Sequence, residues 1–181
     1  MKNTYKFLPL ALAAGGCALA FTASLANAET VQARLVGFNE VPSVSTTGQA
    51  HFRARIDEDA GSIFWELDYA DLQADATQSH IHLGQRHTNG GVTVFLCANP
   101  PIVPPPGTQT CPARSGHLTG TIMAANVLAT PPAQQLPAGG FEELVRAIRA
   151  GATYVNVHTT VSAGGEIRGQ IRGAQGQDRE H

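Results

Sequence analysis

Along most of this chain apolar and polar side chains alternate one for one. In residues 49–56, "QAHFRARI", Ala50, Phe52, Ala54 and Ile56 fall on one side of an extended backbone, and Gln49, His51, Arg53 and Arg55 on the other. Residues 62–69, "SIFWELDY", repeat the pattern, setting Ile63, Trp65, Leu67 and Tyr69 against Phe64, Glu66 and Asp68. The acidic turn "DEDAGS" between them makes a hairpin with one dry and one wet face. Trp65 lies on the dry side and reads as core.

Further strands are predicted in "VQARLVGF" (31–38), "SHIHLG" (79–84), "VTVFLC" (92–97), "GHLTGTIM" (116–123), "TYVNVHTTV" (153–161) and "EIRGQIR" (166–172). About eight short strands set apart by Gly, Pro and Asx turns predict an all-β fold, an antiparallel β-sandwich or Greek-key barrel. One short helix interrupts them at about 140–150. There Phe141, Leu144, Val145 and Ile148 form an apolar stripe, with acidic residues in the first turn and arginines before Gly151. The proline-rich "LATPPAQQLPAGG" ahead of it is a connector, and no internal repeat is present.

The two ends read differently. Residues 1–28 have a basic start, an apolar run of small residues and "ANA" ending at Ala28, the form of a signal peptide cleaved near that residue. The alternative, a lipoprotein cysteine at Cys17, is disfavoured by the small Ala14 three residues before it. A single domain over 29–172 and a disordered polar tail over 173–181 complete the expected organisation, in a protein that is periplasmic or secreted. No later run approaches the ~18 continuous apolar residues of a transmembrane helix.

Charge and cysteines narrow the partners. Beyond Ala28 the chain has ten arginines and no lysine against fourteen acidic residues, a formal charge of −4. That balance argues against nucleic acid and anionic membranes and leaves an extracellular or envelope ligand as the expected partner. Cys97 and Cys111 remain after processing, and in an exported protein an even count favours a disulfide over a pair of metal-binding thiolates. It would close the stiff loop "ANPPIVPPPGTQT".

The candidate chemistry lies in the histidines. In "SHIHLG" a strand puts His80 and His82 on one side and Ile81 and Leu83 on the other. His158, on a later strand, shares its face with Tyr154 and Asn156. If the strands are neighbours, three imidazoles converge, a donor set for copper first and zinc second, with His87 as an optional fourth ligand. The same residues also fit acid/base groups, structural hydrogen-bonding histidines or a polar strand face. Glu40, Glu166 and Arg168 are further candidates, with Glu166, Arg168 and Gln170 on one face. Pairing of Arg168 with a carboxylate to tie strand ends is the favoured role there. No "GxSxG", "HExxH" or phosphate-cradling glycine loop is present, and paired cysteines cannot be nucleophiles.

Four segments in order, "LVGFNEVP", "SHIHLG" followed by "NGG", "YVNVHT" and "GGEIRGQI", resemble the CHRD domain first described in chordin and found in microbial exported proteins. The resemblance spans roughly Val31 to Arg172 and implies an extracellular β-rich module, non-enzymatic and serving binding or structure. Its motif positions fall on Glu40, Pro42, His80, His82, Gly84, Asn156, His158, Gly165, Glu166, Arg168 and Gly169. The "CANPPIVPPPGTQTC" stretch is peculiar to this chain. A weaker resemblance to copper/zinc superoxide dismutases implies copper on His80, His82 and His158, with Arg168 as an anion guide; Glu40, Asn156 and Glu166 are candidates to surround such a site. Counterparts of the zinc-site histidines and aspartate are missing.

Overall fold

The computed structural model describes Met1 and residues 28–173. The expected signal peptide, Cys17 and most of the expected polar tail lie outside the described residues.

Nine strands and one α-helix are found among the described residues: β1 (Glu29–Val36), β2 (Gln49–Asp57), β3 (Ser62–Ala70), β4 (Ala76–Leu83), β5 (Gly91–Ala98), β6 (Gly116–Ile122), α1 (Phe141–Arg149), β7 (Thr153–Thr159), β8 (Ile167–Gln170) and β9 (Arg172–Gly173). All strand pairs are antiparallel. One sheet in the order β5-β4-β7-β8-β1-β2-β3-β6, with β9 on β1, curls nearly into a barrel. The all-β prediction holds, as does the single short helix.

Alternation explains one half of this sheet. In β2 every second residue is buried, and Phe52, Ile56, Ile63 and Leu67 meet in the core. Each such side chain contributes roughly 1.5–3 kcal/mol by leaving water. The other half is dry on both faces. All seven residues of β7 are buried, and Ser79 to His82 of β4 are buried in succession. The histidine face is therefore not a wet strand face, because segments from neighbouring turns cover it.

The strand ends differ from expectation for local reasons. The first strand stops at Val36, where Gly37–Asn39 form a 3₁₀ turn that swings Glu40 inward. The last segment breaks at Ile171, whose N–H donates to Thr153 O instead of continuing the ladder to β1. Glu166 lies in the bend ahead of β8, so strand periodicity does not place it beside Arg168.

Cys97 and Cys111 form the expected disulfide. The proline loop it pins lies at the seam between the edge strands β5 and β6. Gln109 accepts from Ala98 N–H through its carbonyl and donates through Nε2 to Thr119 O at 2.9 Å, bridging both edges. Helix α1 buries Leu144, Val145 and Ile148, while Arg149 pairs with Glu29 and Glu58 at the start of β1 and the end of β2. No described helix is long and apolar enough to cross a membrane.

Candidate metal centre

Register brings the three histidines together. Strand β4 pairs with β7 so that His80 faces Asn156, His82 faces Tyr154 and Gln78 faces His158, which leaves His158 diagonal to His80. One ligand nitrogen from each of His80, His82 and His158 lies within 4.8 Å of the others, and all three residues are buried. A metal held at ~2.0–2.1 Å from each nitrogen would draw this triangle in to roughly 3.4 Å. Rotation of the rings would have to supply that contraction.

The hydrogen bonds orient these rings. His158 Nδ1 lies 2.9 Å from Ala163 O, and His82 Nδ1 lies 2.9 Å from Gly90 O. A carbonyl only accepts, so in each neutral ring Nδ1 carries the proton and Nε2 keeps its lone pair. Such backbone partners are the usual way a metal-binding imidazole is fixed in tautomer and direction. His158 Nε2 has no partner, and neither nitrogen of His80 has one. His80 instead has the ring of Phe95 edge-on at 4.3 Å, with His158 at 5.1 Å and His82 at 5.3 Å.

All three rings are held neutral. Burial drives His80 down to about 2, helped by the neighbouring His158 and His82. Burial likewise lowers His82 to about 4, against the raising effect of the Gly90 carbonyl and with further lowering from His158. His158 is lowered by burial and partly restored by Ala163. Deprotonated imidazole nitrogens are what a metal requires, so no proton competes for this site at neutral pH.

A polar layer surrounds the trio. His82 Nε2 lies 3.1 Å from Asn156 Oδ1, and the Asn156 side chain also hydrogen-bonds Glu40. One ring proton cannot serve two acceptors, so this contact is a hydrogen bond only with the amide turned end for end, its nitrogen then donating to the Nε2 lone pair that a metal would have to displace. Glu40 is buried with Oε1 unpartnered, and burial pushes its carboxyl up to about 7 against the lowering pull of Arg168, Val41 N–H and Asn156. Gly165 has φ +125°, and a Cβ there would stand 2.2 Å from Glu40 Oε1. Only glycine admits the carboxyl at that point.

Arg168 and Glu166 correct the expected pairing. They do not pair with each other. Glu166 accepts from Thr46 Oγ1 (2.7 Å), Gln73 N–H (2.9 Å) and Thr159 Oγ1 (2.8 Å), tying three loops together. Arg168 donates to Gln85 O (3.1 Å) and Thr88 O (2.8 Å), with its guanidinium 3.4 Å from the centre of the Tyr154 ring. The Tyr154 ring in turn stacks parallel on His82 at 4.6 Å. Arg168 thus holds the turn after β4 over the histidines. His87, in that same turn, is exposed and stands outside the trio.

Sequence reasoning placed Tyr154 on the face of Asn156 and His158 without reading it as a contact of the trio, and missed Phe95. Phe95 depends on the β4–β5 register, which a bulge between Ser79 and His80 shifts.

The fold and the site together define a small antiparallel β-barrel domain with a buried three-histidine cluster roofed by its own turns. The CHRD domain family model matches residues 31–171, and the chain belongs to that family. Neither the comparison with curated proteins nor that with solved structures gave a match.

Proposed function

We propose that this protein is an exported CHRD-domain protein that holds one copper or zinc ion on His80, His82 and His158. One observation carries the reading: three neutral, buried imidazoles converge with three of their ring nitrogens unpartnered. An unmade hydrogen bond on a buried polar atom costs about 1–3 kcal/mol, which a bound metal would offset. Imidazole donors without thiolate or carboxylate suit copper or zinc rather than calcium or magnesium. The disulfide and the family fit a periplasmic or extracellular protein.

The role is binding rather than turnover. His80, His82 and His158 are each under 8 % exposed, which favours holding an ion over presenting it to a redox substrate. Arg168 has its donors engaged by loop carbonyls, which favours positioning of the turn over guidance of an anion. Gly90 O fixes His82 from behind, through Nδ1, while Asn156, itself hydrogen-bonded to Glu40, lies against Nε2. Titration of metal-free protein with Cu²⁺ or Zn²⁺ at pH 7.5 should load about one equivalent. His80→Ala and His82→Ala should each drop this below a tenth while the thermal transition stays cooperative. A wild-type protein that takes up less than a tenth of an equivalent contradicts the proposal.

A further inference from the structure

The outward face of β1, β2 and β3 carries a second feature, remote from the histidine cluster in the strand order. Arg34, Arg53 and Arg55 are exposed there, and none of the three forms an ion pair among the described residues. Three other surface arginines form ion pairs: Arg114 with Asp75, Arg146 with Glu143, and Arg149 with Glu29 and Glu58. Glu66 sits directly across from Arg53 in the ladder, yet the two do not pair. Phe64, directly across from Arg55, is 41 % exposed. A crevice of about 240 Å³ opens between these side chains, lined by Thr30, Arg53, Arg55, Phe64 and Glu66.

We propose that this crevice binds an anionic polysaccharide, one uronate-type sugar seated between Arg53, Arg55 and Phe64 with the chain running along the sheet towards Arg34. The chemistry selects among anions. Arginine forks match a carboxylate with two parallel hydrogen bonds. The exposed ring of Phe64 offers an apolar platform that an inorganic anion would not use. Glu66 repels any anionic group placed against it, a carboxylate included, but accepts hydrogen bonds from sugar hydroxyls, which a bare inorganic anion does not offer. The crevice is smaller than the ~300–1,000 Å³ of a drug-sized pocket, which suits one unit of a longer polymer. Arg34, two strand positions along and one strand over, extends the positive row for the next charge. The overall negative charge of the chain makes a local row of unpaired arginines a directed feature rather than a general affinity for anions.

Polygalacturonate is the probe, with dextran, polyglutamate and phosphatidylglycerol vesicles as the comparison arms. Wild-type protein should bind polygalacturonate at low ionic strength, weaken as salt rises, and ignore dextran. Arg53→Gln/Arg55→Gln should weaken binding by about tenfold or more, and Phe64→Ala by several-fold, with thermal transitions that stay cooperative. Absent binding, or binding that survives the double substitution, overturns the proposal. Equal binding to polyglutamate or vesicles with no effect of Phe64→Ala also overturns it, by showing a charged patch without a sugar site. Metal loading of the histidine cluster should be the same in every variant, so the outcome is independent of the metal reading.

Discussion

His80 has both ring nitrogens buried without a hydrogen bond, on a ring held neutral by its surroundings. Its presence makes physical sense if it shares an ion with His82 and His158, each of which places a ring nitrogen within 4.8 Å of its own. The residue-scale account has a signed consequence for pH. The unfolded chain binds protons near pH 6.5 at histidines that stay neutral in the fold, so their contribution is present above pH 6.5 and lost as pH falls below it. Glu40 acts the other way. Its folded carboxyl keeps a proton up to about pH 7, so its contribution is full below the unfolded value of 4.5 and lost as pH rises through 7. Three histidines oppose one glutamate between pH 4.5 and 6.5, and metal-free protein should lose stability on acidification across that window. The slope should not exceed about 1.4 kcal/mol per pH unit for each net proton. Denaturant titrations at stepped pH measure it. Glu40→Gln should gain stability relative to wild type as pH rises from 4.5 to 8, and a difference that is flat across this range would show that Glu40 does not hold a displaced proton.

At the scale of elements, alternation made β2 and β3 legible almost to the residue, because one face meets water and one meets the core. It also located the histidine pair, since period two sends His80 and His82 the same way. The pattern cannot tell a wet polar face from a polar face roofed by turns, and β4 and β7 are of the second kind. Glu166 was misread for the same reason: the rule of alternating faces ends where the ladder ends, and Glu166 precedes β8. The cysteine loop was legible as a disulfide, but its place at the barrel seam was not, because Gln109 reaches strands whose order no local pattern encodes. This predicts that Cys97→Ala/Cys111→Ala costs about 3 kcal/mol, as expected for a closed loop of about 15 residues. Urea unfolding measures it, and a cost below about 1 kcal/mol would mean the loop holds the seam without its covalent clasp.

For the whole molecule, family membership and the near-closed barrel describe a scaffold that places two independent features apart: a buried histidine cluster under the turns, and an arginine-lined crevice on the open sheet face. The proposed export has its own test. Terminal sequencing of protein recovered outside the cytoplasm should begin at or near Glu29, where β1 also begins, and recovery of the intact chain starting at Met1 would oppose export by cleavage. The central claim is that two strands far apart in sequence and paired in the sheet lend three imidazoles to one ion. X-ray absorption at the copper or zinc edge of the loaded protein tests it most directly. The account predicts three imidazole nitrogens at about 2.0–2.1 Å, with the ring scattering of histidine and no sulfur. A first shell of oxygen alone, or of fewer than two histidines, would contradict it.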